Sequence, residues 1–282
     1  MKKRLRKNLS GVLTSEELKK VCNSFDIVGD LAIIKLPSAS SVTAQTAADA
    51  IMSRHKNVKT VLLQVSPVSG DLRLRRLMHV AGQNKTRTIH REFGCLFSFD
   101  ATKCYFSPRL SHERMRIARR IEPDETVVNM FAGVGCFSIM IAKHANPRKV
   151  FSIDVSPAAI QFMQENIRLN RVYGKVIPLL GDSKELIHNR LQRIADRVLM
   201  PLPEKAREYL PCAVSALKAS GGWIHYYGFE HAKKTESLVD KFRLEVAEAL
   251  DVLGLNFEVP FISVVRSTGP NWFQLVADVH VM

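Results

Sequence analysis

Glu122-Pro123-Asp124-Glu125-Thr126-Val127-Val128-Asn129-Met130-Phe131-Ala132-Gly133-Val134-Gly135-Cys136-Phe137-Ser138-Ile139-Met140-Ile141-Ala142-Lys143-His144 decides how the rest of the chain is read. Pro123 and Asp124 are turn formers. Thr126 to Met130 reads as a short buried strand, and Phe131 to Gly135 as a tight loop carrying two glycines. Cys136 to His144 is apolar and small enough to start a helix packed on that strand. A strand, a glycine turn and a helix start make a place to hold a nucleoside cofactor. Glycine lets the backbone approach a ligand closely, and the helix start offers free N–H donors.

Two kinds of nucleotide cofactor compete for this loop. A dinucleotide fingerprint wants G-x-G-x-x-G, whereas here the third glycine position is Ser138. The next strand, Lys149 to Ile153, leads into Asp154, about 20 residues past the first glycine, where an acid can hold ribose hydroxyls. A further strand, Lys175 to Leu180, leads into Gly181-Asp182, a second acid suited to the adenine side. Glycine loop, ribose acid and adenine-side acid in that order resemble a class I S-adenosylmethionine enzyme. The expected fold is therefore α/β and Rossmann-like.

The chain has 282 residues, 46% of them hydrophobic, enough for one large domain or a medium one plus a small one. No run approaches the roughly 18 apolar residues of a membrane span. The basic start, Met1 to Lys7, has no apolar signal core after it, so the expectation is a cytoplasmic protein. Cys22, Cys95, Cys104, Cys136 and Cys212 are scattered without a C-x-x-C pair, so neither a metal site nor a disulfide framework is expected. A net charge of +14 favours a polyanionic partner, of which nucleic acid is the commonest. The positive charge is clustered: Arg73, Arg75 and Arg76 in one segment, Arg109, Arg114 and Arg116 in the next.

Residues 1–100 read as a small N-terminal α+β domain and 101–282 as the cofactor-binding domain. In the first, Thr14 or Ser15 caps a short helix through Cys22. A hairpin follows, Phe25 to Val28 and Leu31 to Leu36 around Gly29-Asp30. Ala44 to His55 has helical spacing. Val58 to Val65, Thr86 to His90 and Gly94 to Phe99 read as strands, with the basic stretch from Asp71 between them. His79 and His90 are read as structural. Ser111 is expected to cap a helix from His112 to Arg120, with Glu113 in its first turn, where it either favours the helix N-terminus or faces the cofactor pocket. Beyond Asp182 the expected elements are a helix from Lys184 to Ala195, a strand from Arg197 to Met200 and a helix from Ala206 to Ala219 that Pro211 kinks or restarts. Trp223 to Tyr227, a long helix from Lys233 to Leu250, and paired strands Phe257 to Val265 and Phe273 to Val281 complete the chain.

Three segments carry a more specific resemblance. Tyr105-Phe106-Ser107-Pro108-Arg109-Leu110-Ser111-His112-Glu113-Arg114, then Asn129 to Gly135, then Asp196-Arg197-Val198-Leu199-Met200-Pro201-Leu202-Pro203 are similar to the archaeal and eukaryotic tRNA (guanine37-N1)-methyltransferase family. That superfamily includes the wybutosine-pathway enzyme that transfers an aminocarboxypropyl group from the same cofactor. The resemblance covers nearly the whole chain. It implies a class I S-adenosylmethionine-dependent methyltransferase fold, S-adenosylmethionine as cofactor and tRNA as partner; a monomer is expected. It implies catalysis by Glu113 and Arg73. It implies a cofactor site lined by Tyr105, Ser107, Arg114, Phe131, Gly133, Gly135, Asp154, Val155, Asp182, Ser183 and Pro201. Arg75, Arg76 and Arg109 are the expected RNA-gripping residues. The family often has Asn-Leu-Pro where this chain has Pro201-Leu202-Pro203, which removes a polar group that could orient guanine or cofactor.

The residue types suit the chemistry. Guanine N1 is a poor nucleophile until it loses its proton, which Glu113 would take as general base. Arg73 would stabilise charge developing on guanine O6. Methylation of N1 of guanine 37 is the favoured reaction. The alternative is aminocarboxypropyl transfer to a wybutosine precursor at the same position. Some members of the methyltransferase branch carry an extra N-terminal domain ahead of the segment that starts this chain, which favours the alternative, while the Pro-Leu-Pro wall favours methylation. A non-catalytic tRNA-binding protein is disfavoured by the intact set Gly133, Gly135, Asp154 and Asp182. A DNA methyltransferase is disfavoured by the missing Asn-Pro-Pro-Tyr type of motif.

Overall fold

Gly29 sits at φ 59°, a left-handed turn that brings Asp26–Val28 (β1) back antiparallel to Leu31–Ile34 (β2). This hairpin opens the described part of the chain. The computed structural model describes residues 25–36, 41–233 and 235–282 and divides into two compact units, Met1–Pro108 and Arg109–Met282. The helix expected through Cys22 lies outside the described residues.

In the first unit, Ser41–Arg54 (α1) crosses from β2 to Thr60–Gln64 (β3), which pairs parallel to β2. Leu77–Gly82 (β4) closes the sheet antiparallel to β3, giving the order β1-β2-β3-β4. Ala32, Ile34, Ala47, Ile51 and Val61 are buried together between helix and sheet. The basic stretch was not expected to contain a strand. Its core side is carried by Ala81 and its other residues are largely exposed, so the apolar alternation is faint. Arg87–Glu92 (β5) and Cys95–Asp100 (β6) form a separate antiparallel pair. His90 Nδ1 accepts the Gly29 N–H at 2.9 Å and its ring meets Phe106 edge-on, contacts of the kind expected of a structural histidine.

The second unit opens with Ser111–Ala118 (α2). The residue at its N-terminal boundary is Leu110, and no side chain caps the helix, so Ser111 is not the expected cap. Thr126–Asn129 (β7), Lys149–Asp154 (β8), Val176–Leu180 (β9), Arg197–Met200 (β10), Gly222–His231 (β11), Phe257–Gly269 (β12) and Trp272–Val281 (β13) build one sheet, ordered β12-β13-β11-β10-β7-β8-β9. Neighbours from β9 to β11 are parallel, and β13 runs antiparallel to both β11 and β12. The β7 and β10 strands are adjacent, yet their following strands extend in opposite directions. That reversal leaves a crevice at their C-terminal ends, where open α/β sheets bind ligands.

Cys136–His144 (α3) follows β7, Pro157–Asn170 (α4) follows β8, and Ala206–Ala216 (α5) follows β10. Pro157 stands in the first turn of α4 behind Ser156, whose hydroxyl accepts the Ala159 N–H. The helix expected from Lys184 to Ala195 is shorter: Ser183–Leu186 is one helical turn, and Ile187–Leu191 continues it as a π turn. Helix α5 runs through Pro211 without a restart. Leu238–Asp251 (α6) is capped by Ser237, later than expected. Val128, Val198, Met200, Tyr226, Phe242 and Leu275 are among the residues that fill the core of this unit.

Candidate active site

Short β7 delivers the chain to Phe131 at the crevice, and the two glycines turn it into α3. Gly133 is at φ 56° and Gly135 at φ 88°, the latter as the residue before the first helical turn. A side chain on Gly135 would press to 2.8 Å from Met163 Cγ, whereas the position of a Cβ on Gly133 faces open space. The first glycine therefore leaves room for a ligand and the second for α4.

Asp154 ends β8, and its carboxylate binds the loop directly. Oδ2 accepts the Gly133 N–H at 2.7 Å and Oδ1 accepts the Ser156 N–H at 2.9 Å. Burial pushes the carboxyl above its ordinary pKa, and the two N–H donors offset part of that. Each oxygen keeps a further lone pair for a hydroxyl. Val155, next in the chain, exposes an apolar side chain. Beneath the loop, Asn129 Nδ2 donates to Ser138 Oγ at 3.0 Å, and Ser152 joins the same buried cluster through Ser138 Oγ.

Asp182 follows β9. Its Oδ1 accepts the Lys184 N–H, capping the short helix, and its Oδ2 accepts the Tyr209 hydroxyl, each at 2.7 Å. Tyr209 meets Phe131 edge-on at 5.1 Å between ring centroids, and Ser183 Oγ donates to the Met130 carbonyl. Phe131, Gly133, Asp154, Asp182 and Ser183 thus gather at the ends of β7, β8 and β9, with Pro201 at the end of β10. The open space at Gly133, the strand-end carboxylates and exposed Val155 fit a nucleoside cofactor.

Glu113 lies on α2, 8% exposed. Arg116, one turn on, donates from Nε to Oε2 and from Nη2 to Oε1, both at 2.8 Å. The Tyr227 hydroxyl donates to Oε1 at 2.7 Å. The Arg116 guanidinium also reaches Asp278, at 2.6 Å from Nη1 to Oδ2 and 3.0 Å from Nη2 to Oδ1. Asp278 Oδ1 lies 2.6 Å from His225 Nδ1, and His225 Nε2 lies 2.9 Å from Arg197 Nη1. A guanidinium can only donate, so Nε2 accepts and Nδ1 carries the proton toward Asp278. Arg197 forks onto Glu125 with both contacts at 2.8 Å.

Glu113, Tyr227, His225, Asp278 and Arg197 of this polar chain are buried, while Arg116 and Glu125 are partly buried. Burial opposes ionisation of Asp278, but His225 and Arg116 hold its carboxyl well below the usual range. Burial tends to discharge Arg116, and its two carboxylate partners overcome this and raise its pKa. Burial holds His225 below its ordinary value despite Asp278, and burial together with Glu113 pushes the Tyr227 hydroxyl up. Arg114, also on α2, is buried and Arg109 is exposed. Sequence reading did not connect Tyr227, Arg116, Asp278 or His225 to Glu113, to which the structure joins them by hydrogen bonds. The available signal was a histidine and an aspartate inside otherwise apolar strands.

Arg73, Arg75, Arg76, Tyr105 and Ser107 belong to the first unit. Arg73 has φ 52° and stacks its guanidinium 4.6 Å from the centre of the Tyr105 ring. Arg75 donates to Gln64, Arg76 is exposed and Ser107 is buried. Among the described residues no group of three or more His, Cys, Asp or Glu side chains is placed to hold a metal ion, and no helix is long and apolar enough to cross a membrane.

The sheet order, the terminal antiparallel hairpin and the acid-flanked glycine loop define a Rossmann-like class I methyltransferase fold. Residues 88–252 match the TRM5/TYW2 methyltransferase domain, and residues 5–86 match the TYW2 N-terminal domain. The chain belongs to the TRM5/TYW2 methyltransferase family. It is 41% identical over 275 residues to the tRNA (guanine(37)-N(1))-methyltransferase Trm5b of Pyrococcus abyssi, covering 94% of this chain and 77% of that protein. It is 35% identical over 200 residues to the tRNA(Phe) (4-demethylwyosine(37)-C(7)) aminocarboxypropyltransferase of Methanocaldococcus jannaschii, covering 71% of this chain and 76% of that one. Among solved structures, the complex of aTrm5 and tRNALeu superposes with a TM-score of 0.85 at 32% identity, covering 100% of this chain and 79% of that one.

Proposed function

We propose that this chain is a tRNA (guanine37-N1)-methyltransferase using S-adenosylmethionine. The observation that carries the reading is Glu113: a buried carboxylate, fixed by Arg116 and Tyr227, in the unit that holds the glycine loop. When bound, the cofactor supplies a methyl carbon made electrophilic by the adjoining sulfonium. The chain's own work is to align the guanine and remove a proton. The N1–H bond breaks, its proton passes to the Glu113 carboxylate, and the freed electron pair on N1 becomes the nucleophile. Gly133, Gly135, Asp154, Val155, Asp182, Ser183, Phe131 and Pro201 hold the cofactor, with Tyr105, Ser107 and Arg114 assigned to the same task by the family resemblance. Arg73 is assigned the developing charge on guanine O6. Arg75, Arg76 and Arg109 bind RNA phosphates.

Aminocarboxypropyl transfer to a wybutosine precursor at position 37 is the second reading. It is favoured by one observation, the match of residues 5–86 to the TYW2 N-terminal domain. One experiment separates the two. The protein is incubated with unmodified tRNA and S-adenosylmethionine labelled separately on the methyl and aminocarboxypropyl carbons, and nucleosides are identified by mass. Methyl label in 1-methylguanosine supports the first reading. Aminocarboxypropyl label in the product, with or without a tricyclic precursor, supports the second, and methyl label found only with a tricyclic precursor overturns both in favour of methylation within the wybutosine branch.

A further inference from the structure

Arg116 is one guanidinium between two buried carboxylates. Its Nε and Nη2 hold Glu113, while its Nη1 and Nη2 hold Asp278. A carboxylate locked to a single, largely desolvated arginine is a poor base, because taking up a proton would leave that partly buried cation without its counter-ion. Here it would not. If Glu113 takes a proton, Asp278 remains on Arg116 and the pair stays neutral.

We propose that Asp278 is a positioning residue that acts through Arg116, standing as the reserve counter-ion that lets Glu113 accept the substrate proton. The proposal rests on the reading of Glu113 as general base. Asp278 is itself 1% exposed and is fixed by the Nδ1–H of His225, whose other nitrogen is fixed by Arg197. The charge of Arg197 is balanced by Glu125, so it does not compete for Asp278. Among the described residues, the titratable and charged groups around Glu113 and its arginine include Tyr227 and His225 from β11, Asp278 from β13, Arg120 just past the end of α2, whose guanidinium lies 5.2 Å from the same Phe261 ring that Arg116 meets, and, more distantly, the Arg197–Glu125 pair. From β12, the Phe261 ring lies 4.7 Å from the Arg116 guanidinium and contributes no titrating group. His225 and Asp278 are direct partners in the register of β11 and β13, so the backbone pairing itself sets their contact.

Tyr227 acts on Glu113 in the opposite sense. Its hydroxyl favours the ionised carboxylate, so its removal favours proton uptake, whereas removal of the Asp278 charge tightens Arg116 onto Glu113 and disfavours it. Opposite shifts from two neighbouring buried residues are a signature that mere loss of structure does not produce.

The test measures single-turnover transfer to tRNA from pH 5.5 to 9, with cofactor and tRNA Kd, for the full chain and for Asp278→Asn, Asp278→Glu, Tyr227→Phe and Glu113→Gln. For Asp278→Asn the expected result is a rate about 10- to 100-fold lower with both Kd values within about threefold, and an acid limb moved to lower pH by about one unit. Asp278→Glu recovers part of the rate. Tyr227→Phe, the isostere least disturbing to the fold, moves the acid limb to higher pH. If Asp278→Asn does not fold, Asp278→Glu decides: an acid limb near the wild-type position with partial activity supports the proposal, and a folded Asp278→Glu protein with no activity and unchanged Kd values overturns it. An Asp278→Asn acid limb that does not move to lower pH, with Glu113→Gln inactive, overturns the proposal while leaving Glu113 as the base. Glu113→Gln at the wild-type rate overturns that underlying reading and the proposal with it.

Discussion

Asp154 Oδ2 accepts the backbone N–H of Gly133 at 2.7 Å, tying the end of β8 to the loop that leaves β7. One carboxylate thus shapes the loop and borders the cofactor crevice. A hydrogen bond to an ionised group contributes about 1.5–3 kcal/mol. Asp154→Ala is expected to raise the S-adenosylmethionine Kd at least tenfold and to lower the melting temperature by a few degrees. Asp154→Asn, which keeps one acceptor, should lose less of both. Titration calorimetry and a thermal melt check this. A wild-type Kd in Asp154→Ala would remove the residue from the cofactor site.

The two glycines of the loop should respond differently to the same added methyl group. Both lie in the left-handed region, where a non-glycine residue costs about 1–2 kcal/mol. Gly135→Ala adds a clash with Met163 to that strain, so stability should fall the more, by about 2–4 kcal/mol in urea unfolding. Gly133→Ala meets no protein atom, so stability should fall only by the strain while cofactor affinity falls at least tenfold. Equal effects of the two on both quantities would contradict the assignment of the open space to the ligand.

The cofactor half of the fold was legible because its signals are local. A short apolar strand, two glycines and a small-residue helix follow one another within Thr126 to His144, and the helix bounds read from sequence are those observed for α3. Strand β4 was not legible, because exposed Met78 and His79 and the neighbouring arginines conceal its single strongly buried position. The Ser111 cap failed because the 3-10 turn Pro108–Leu110 starts the helix earlier and absorbs Ser111 into the first turn. Glu113 and Asp154 came from motifs, but their partners did not. Tyr227, His225 and Asp278 come from strands far along the chain from α2, and only the pairing of β11 with β13 brings the last two together. A buried histidine and aspartate in apolar strands are costly unless paired, which is the sign that such a network exists.

The first unit offers arginines in two settings that predict two kinds of loss. Arg76 is exposed, so Arg76→Gln should weaken tRNA binding, most visibly at low salt, and reduce the slope of log K against log salt by about 1. Cofactor affinity should not change. Arg73 is stacked on Tyr105, a geometry that lysine does not reproduce. Arg73→Lys should lower the single-turnover rate at least tenfold with tRNA Kd within about threefold. Filter binding across a salt series and rapid quench distinguish them. A pure affinity loss in Arg73→Lys would place that residue with the phosphate contacts.

Acid should weaken the fold through His225 before it reaches the carboxylates. Nε2 accepts from Arg197 and Nδ1 donates to Asp278, so a second ring proton would set N–H against N–H in a fully buried site. Burial accordingly holds the folded imidazole below its ordinary value. The unfolded chain binds that proton near pH 6.5 and the folded chain does not, so stability falls as pH drops below about 6.5, by up to about 1.4 kcal/mol per pH unit. Asp278 adds loss in the same direction at lower pH: its folded pKa is depressed, so its contribution is present above about pH 4 and disappears as the unfolded carboxylate takes up a proton. Neither group changes stability between pH 7.5 and 9. Urea unfolding at pH 8, 7, 6 and 5 should show this shape, and His225→Gln should be less stable at pH 8 yet show a flatter dependence between pH 7 and 5. Parallel curves for the two proteins would mean that His225 is not the group that titrates.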